Sequence, residues 1–327
     1  MEKKILVISF SFEQEPDAFA ALENAGFEPI LWANKDRKDA SEEDLCAYWR
    51  KMPEKPVAIV MGADVPITEK FLSQAVSLRA ISLNCAGYDH VDIAACKKYG
   101  VKLVNVPRQN FDAVADLAWG LILAYMRNIP KANSLIRAGK WAEGVERSMA
   151  VSGKTLGIFG MGAIGQAVAQ RAIGFHMDIV ARSGSRKPEI AEKYHLRFLD
   201  DKDFFRIADI IVLCCPNTPE TFHMINEQTL GMMKKSAVLI NPSRGGLVDT
   251  DALYQALKNH KIAGAALDAY EEEPLLSSPL FELDNVLLTP HIGGLADKQI
   301  HDVAVRSAEN CVQILTGNTE NLNMICG

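Results

Sequence analysis

The sequence predicts an α/β protein built on parallel sheets in two units, and three observations carry that prediction. Short apolar runs alternate with helical segments along the chain, at residues 5–10, 58–61, 80–83 and 103–106, then 156–159, 179–181, 210–213, 238–240, 263–267 and 286–288. That rhythm marks βαβ units, whose crossover helices make successive strands parallel. A length of 327 residues suits roughly two domains of about 150 residues each. The third observation is a glycine-rich turn, Gly160-Met161-Gly162-Ala163-Ile164-Gly165, which follows the first four runs and directly succeeds the fifth.

Taken in order, the elements read as follows. The apolar run at 5–10 follows Lys3 and Lys4 but is too short for a signal peptide and leads into Glu13, Glu15 and Asp17, so it is a first strand. Residues 51–56, with Pro53 and Pro56, form a loop. Residues 112–128 are apolar through nearly every turn, with Asp116 the exception, and form a long buried helix joining the halves. Ala138-Gly139-Lys140-Trp141 breaks the helical pattern ahead of the glycine turn, and Trp141 reads as a packing anchor. A last helix runs from about 295 to 315, with Gly317 as its stop, and packs back on the first unit.

Composition narrows the function. The chain is 48% hydrophobic and 23% charged with a net charge of −6, which is that of a soluble globular protein and argues against binding nucleic acid or an anionic membrane. Seven cysteines, Cys46, Cys85, Cys96, Cys214, Cys215, Cys311 and Cys326, form an odd set without C-x-x-C spacing, as expected of reduced cytoplasmic thiols. Cys214 and Cys215 continue the apolar run at 210–213 and read as core filling. Seven histidines include no H-x-x-x-H or H-E-x-x-H pair, so no metal is expected.

The glycine turn lies between a strand-like run and an amphipathic helix, the setting of a dinucleotide site. Gly160 permits a tight turn, Gly162 lets the backbone approach a pyrophosphate, and Gly165 lets helix pack on strand. Ala163, Ile164 and Gly165 open the helix, whose unpaired N–H groups attract the anion. About twenty residues on, an NAD site would place an acid against the ribose. Here the next strand ends in Arg182-Ser183-Gly184-Ser185-Arg186-Lys187, and Asp178 lies too early. A carboxylate about 4 Å from a phosphate costs on the order of 4 kcal/mol at an effective dielectric near 20, and arginine forks suit phosphate oxygens. Arg182, Ser183 and Arg186 therefore point to NADP(H), with NAD(H) as the alternative cofactor and a solvated basic turn as the plainer reading.

Ligands of open α/β sheets gather at the carboxyl ends of strands, and three later ends carry chemistry. Residues 238–246 present Arg244, residues 265–274 present Asp268, Glu271, Glu272 and Glu273, and residues 287–294 present His291. Each has a plainer reading: Arg244 as an ion-pair partner, Glu273 as one of an exposed acidic run, His291 as a strand cap.

Together these pieces resemble the D-isomer-specific 2-hydroxyacid dehydrogenase family, and within it the glyoxylate/hydroxypyruvate reductases. The likeness extends over residues 85–92, Asn105-Val106-Pro107, the helix around Val114-Ala115-Asp116, the glycine turn, residues 215–221 and the three late segments. It implies two Rossmann-like or flavodoxin-like domains with the active site in the cleft between them. Residues 1–102 and 293–327 would form a discontinuous substrate domain, and residues 103–292 the cofactor domain, which accounts for a glycine turn in mid-chain. It also implies a homodimer through the cofactor domain, with the segment around Trp141 a candidate contact.

The same resemblance assigns roles. Arg244 holds the substrate carboxylate or carbonyl oxygen, His291 donates a proton during reduction, and Glu273, chosen over Glu271 and Glu272 because it precedes Pro274, tunes that histidine. Cys215, Pro216, Thr221, Pro242, Ser243, Asp268, Gly293 and Gly294 are implied beside the cofactor, and Asn84, Ala86 and Gly87 beside the substrate. The loop at 61–64 has no basic residue for a phosphorylated substrate, and no regulatory domain follows, so a small unphosphorylated 2-oxo or 2-hydroxy acid is expected, with glyoxylate and hydroxypyruvate leading. Arg108 departs from the family's usual glycine after Pro107. The alternatives are a phosphoglycerate, formate or phosphite dehydrogenase on the same architecture, and a non-enzymatic NAD(H)-sensing corepressor.

Overall fold

The computed structural model describes residues 3–9, 11–32, 40–63, 65–107, 109–141 and 147–327. Arg108, and Asp64 of the 61–64 loop, lie outside them. The chain folds into two compact α/β units, Met1–Asn110 with Leu295–Gly327, and Phe111–Gly294. The first holds β1 (Lys4–Ile8), α1 (Pro16–Asn24), β2 (Glu28–Leu31), α2 (Glu42–Lys51), β3 (Ala58–Met61), α3 (Glu69–Leu72), β4 (Ala80–Leu83), α4 (Ile93–Tyr99) and β5 (Lys102–Val104). The second opens with α5 (Phe111–Met126), α6 (Ile129–Arg137), β6 (Thr155–Phe159), α7 (Ala163–Gly174), β7 (Asp178–Arg182), α8 (Pro188–Tyr194) and β8 (Leu196–Phe198). It continues with α9 (Asp201–Ile207), β9 (Ile210–Leu213), α10 (Glu227–Met232), β10 (Val238–Asn241), α11 (Thr250–Lys258), β11 (Gly264–Leu267) and β12 (Val286–Leu288). The chain then returns to the first unit with α12 (Asp297–Thr316) and β13 (Met324–Cys326).

In the first unit the sheet runs β13-β5-β4-β3-β1-β2, parallel except where β13 pairs antiparallel with β5. Strand side chains alternate faces. Ile5 and Val7 enter a core shared with Leu22, Ala304, Ala308 and Cys311, so α12 does pack on this unit. Leu6 and Ile8 enter the opposite core with Trp49, Phe71 and Ile81. α12 stops at Gly317, whose φ of +84° supplies the left-handed cap that ends the helix. The sequence-expected junction after residue 102 would cut β5, all of which pairs with β4; the units divide after Asn110 and after Gly294 instead.

In the second unit seven parallel strands run β12-β11-β10-β9-β6-β7-β8. β6 is central: the chain winds outward through β7 and β8 on one side and β9 to β12 on the other, which makes the C-terminal end of β6 the topological switch point. Leu156 and Ile158 face a core with Ala118, Ile122 and Val168 of α5 and α7, while Phe159 faces the opposite core with Phe204 and Phe205. α5 stops short of Asn128, which adopts a left-handed conformation at the start of α6.

Three strands escape the apolar-run reading. β2 contains Glu28 and Pro29 and is only partly buried, while β8 and β13 are three-residue edge strands. Trp141 is not a packing anchor within the chain, being 84% exposed. It follows α6, a helix with no buried residue, so the segment has no core of its own to join. Cys46, Cys96, Cys214, Cys311 and Cys326 are buried and all seven cysteines are free thiols.

Candidate active site

The glycine turn sits at the switch point, and each glycine has its own physical reason. Gly160 has φ +101°, and a Cβ there would lie 2.5 Å from the Cys214 carbonyl oxygen, so the turn needs both the left-handed backbone and the missing side chain. At Gly165 a Cβ would fall 2.0 Å from the Gly160 carbonyl oxygen, closing the helix onto the strand only because it is absent. Gly162 differs, since nothing lies within 4 Å of its absent Cβ. It precedes α7, whose first N–H groups receive no side-chain cap from it. A bare, uncapped helix start of this kind fits a pyrophosphate.

Around it, Cys215 is half-buried, and burial pushes its thiol up to about 11, which makes it an inert packing group. Thr221 braces its own loop, its hydroxyl donating to the Pro216 carbonyl at 2.7 Å and accepting from Thr218 N–H at 2.8 Å. At the end of β7, Arg182 donates from Nε to Asp201 Oδ1 at 2.5 Å and lies over the Phe159 ring at 4.8 Å. Arg186 donates to the Leu199 carbonyl at 3.1 Å, and Ser183 is half-buried beside them. Both arginines thus have anchors within the protein, a feature the sequence does not disclose.

At the end of β10 the chain turns sharply. Buried Asn241 accepts from Ser243 N–H at 3.1 Å and donates to the Arg244 carbonyl at 2.8 Å, an Asx-type turn that fixes the arginine's backbone. Ser243 hydroxyl donates to the Leu213 carbonyl at 2.6 Å, tying Pro242-Ser243-Arg244 to β9. Gly245 then passes so close to the next loop that a Cβ would lie 1.8 Å from the Tyr270 carbonyl carbon.

The loops after β11 and β12 complete the cluster. His291 Nδ1 lies 2.7 Å from Glu273 Oε2, and Glu273 Oε1 accepts from Tyr270 N–H at 2.9 Å. Tyr270 hydroxyl donates to the Leu267 carbonyl at 3.0 Å or the Thr289 carbonyl at 2.8 Å. Asp268 is fully buried and its two oxygens accept from Thr289 hydroxyl, Ile292 N–H and Gly293 N–H at 2.6, 2.9 and 2.8 Å. The carboxylate expected beside the cofactor is therefore spent on shaping the 289–294 turn that carries His291 and contains Gly293 and Gly294. His291 itself is 46% exposed, with a left-handed φ of 51°, and its Nε2 has no partner among the described residues.

These contacts set the electrostatics. The Glu273 hydrogen bond raises His291 above its ordinary value; burial opposes this, the charges of Glu273 and Asp268 reinforce it, and Arg244 opposes it. Burial pushes Glu273 up, yet the hydrogen bond and charge of His291, the Tyr270 N–H and Arg244 together hold it below the ordinary carboxylate range. An imidazolium held by a carboxylate, next to a permanent cation, can donate a proton to an oxygen that is gaining negative charge.

Of the residues named from sequence, Arg244, Glu273 and His291 stand together at one rim of the second sheet with the glycine turn at its switch point. The first unit holds Asn84, Ala86 and Gly87. Asn84 is buried, donating to Ser9 hydroxyl at 2.9 Å and accepting from Ser307 at 3.4 Å. Ala86 and Gly87 follow β4, with Asn105 donating to the Ala86 carbonyl at 2.6 Å. Asn241 and Tyr270 went unnamed in the sequence reading; the signal for Asn241 was an asparagine ending a buried strand directly before Pro242-Ser243. Among the described residues no group of three or more His, Cys, Asp or Glu could hold a metal ion, and no helix is long and apolar enough to cross a membrane.

Residues 119–293 match the NAD binding domain of D-isomer specific 2-hydroxyacid dehydrogenases. The chain is 40% identical over 301 residues to a glyoxylate reductase of Pyrococcus horikoshii, covering 89% of this chain and 87% of that one. A solved protein of Thermus thermophilus superimposes with a TM-score of 0.86 at 31% identity, covering 99% of this chain and 100% of the other. The D-lactate dehydrogenase of Aquifex aeolicus, solved with NAD and lactic acid, superimposes with a TM-score of 0.86 at 26% identity, covering 99% of each chain. The chain belongs to the D-isomer-specific 2-hydroxyacid dehydrogenase family. It is an NAD(P)-dependent oxidoreductase acting on a CH–OH group.

Proposed function

We propose that this enzyme reduces a small unphosphorylated 2-oxo acid, glyoxylate or hydroxypyruvate first, and takes NADPH in preference to NADH. The observation that carries the chemistry is the His291–Glu273 hydrogen bond of 2.7 Å under the charge of Arg244. The 40% identity to a glyoxylate reductase supports the substrate class. When bound, the nicotinamide cofactor supplies the hydride. Arg244 holds the substrate's carboxylate or carbonyl oxygen, and His291 Nε2 donates a proton to that carbonyl oxygen as it becomes a hydroxyl. Glu273 fixes the histidine's ring and charge at Nδ1.

In this reading the N–H groups of Ala163, Ile164 and Gly165 hold the pyrophosphate, and the loops of Cys215, Pro216, Thr221, Pro242, Ser243, Gly293 and Gly294 line the cofactor. Asp268 contributes by shaping the last of these. The Ala86-Gly87 turn offers a carboxylate its backbone N–H groups, while the Asn84 side chain is engaged with Ser9 and Ser307. Arg182, Ser183 and Arg186 meet the 2′-phosphate, and the absence of an acid at the end of β7 supports that cofactor. The enzyme works in the cytoplasm as a homodimer, with exposed Trp141, Ile129 and Ile136 its contact.

An initial-rate matrix of NADH and NADPH against glyoxylate, hydroxypyruvate, pyruvate and phosphohydroxypyruvate tests both choices. The expected maximum in kcat/KM is NADPH with glyoxylate or hydroxypyruvate. Equal or better values with NADH overturn the cofactor preference, and a maximum with phosphohydroxypyruvate overturns the substrate class.

A further inference from the structure

Two residues before Glu273, a second carboxylate of the same acidic run holds a second histidine. Glu271 Oε1 lies 2.6 Å from His223 Nε2, and Glu271 Oε2 accepts from Thr250 N–H at 3.0 Å and from the Thr250 hydroxyl. Its side chain is 30% exposed and that of His223 33%, so the contacts are partly shielded. His223 is stacked on Phe222 with ring centres 3.9 Å apart, and its backbone N–H donates to the Gly246 carbonyl at 2.8 Å. Ile225 N–H in turn donates to the Leu247 carbonyl at 3.0 Å. Glu271 is therefore the point where the loops after β9, β10 and β11 are fastened together.

We propose that Glu271, held by His223 and Thr250, is a positioning residue for the acid–base pair: it fixes the loop on which Glu273 stands and so keeps the Glu273 carboxylate on His291. This rests on the reading of His291 and Glu273 as that pair. Glu273 sits on an otherwise exposed segment, with Glu272 and Pro274 in solvent on either side. On its own such a segment would not hold a carboxylate to the few tenths of an ångström that a working site needs. Beside Glu271, the loop is held by the Tyr270 hydroxyl on the Leu267 or Thr289 carbonyl, and the Glu273 carboxylate itself by the local Tyr270 N–H. Glu271 supplies charge-assisted bonds to two other loops, the stronger kind of hydrogen bond. The Tyr270-Glu271 backbone also lies directly against Gly245, the residue after Arg244.

The test is Glu271→Ala. Reduction of the 2-oxo acid should fall in kcat by about tenfold to a hundredfold, the scale of a displaced catalytic group, with the dissociation constant of the reduced cofactor unchanged. The alkaline limb of the kcat/KM profile should move to lower pH, because a histidine that loses its carboxylate gives up its proton more easily. A limb at the wild-type pH overturns the proposal, even if kcat falls. Should Glu271→Ala fail to fold, Thr250→Val and His223→Gln each remove one fastening and must move the limb in the same direction; wild-type limbs in both overturn it. Full turnover in His291→Ala would instead sink the acid–base reading itself, which separates the two failures.

Discussion

His291 in the second unit and His301 in the first make the same contact, Nδ1 to a glutamate oxygen at 2.7 Å, to Glu273 and to Glu15 respectively. In both the carboxylate hydrogen bond raises the imidazole above its ordinary value. Yet their surroundings differ. His291 stands in a turn after a parallel strand, its backbone bent into the left-handed region, its second nitrogen without a partner among the described residues and an arginine's charge acting on it. His301 lies on a helix, and its second nitrogen faces Asp17 at 3.9 Å. A histidine–carboxylate pair is thus no site by itself. What makes one is a free second nitrogen and a cation placed where strands of one sheet end.

The sharpest break in this comparison is a pair of substitutions. His291→Ala should lower kcat for 2-oxo acid reduction by about a hundredfold to ten-thousandfold, the usual contribution of a positioned proton donor, while reduced cofactor still binds with wild-type affinity by fluorescence titration. His301→Ala should leave kcat and KM within about twofold, as for a surface substitution away from the reacting atoms. Comparable losses in the two variants would remove the distinction.

A smaller effect lies in the pH profile. Reduction needs His291 protonated, so kcat/KM for the 2-oxo acid should be flat at low pH and fall as pH rises through the histidine's raised value. Oxidation of the 2-hydroxy acid needs it neutral and should rise through the same pH. Glu273→Gln keeps a hydrogen-bond partner but removes the charge, and should move both limbs to lower pH, because the carboxylate's hydrogen bond and charge are what raise the histidine. Limbs that stay in place would mean that Glu273 does not tune His291.

How far the site could be read in advance follows the same division between local and long-range causes. The glycine turn was legible because its demands are local: a positive φ at Gly160 and close packing at Gly165 act within a few residues. The interior strands were legible because β3 and β9 are buried on both faces and read as unbroken apolar runs, and β4 is interrupted only by Ser82. Edge strands β2, β8 and β13 were not, since half-buried or three-residue strands carry no such run. Glu273 could be told from Glu271 only through its resemblance to a family motif, because spacing alone gives three adjacent acids. The fold separates them by where each points, one to His291 and the other to His223 and Thr250. Asp268 looked like a cofactor contact for the same reason: no pattern in sequence shows that both its oxygens are taken by residues more than twenty positions later.

The smallest expected effect belongs to His301, in stability alone. Its folded-state value is raised, first by the hydrogen bond to Glu15, against burial and with help from the charges of Glu15, Asp17 and Asp302. A group raised on folding stabilises the folded state fully below its unfolded value, about 6.5 for histidine, and that contribution disappears as pH rises through the folded value. His301→Ala should therefore lower Tm by a small amount in acid and by nothing once the wild-type histidine is neutral. Thermal melts of both proteins across that range check it. The two Tm curves should converge at alkaline pH; a gap that stays constant would mean that His301 holds α12 to α1 by packing and not by its charge.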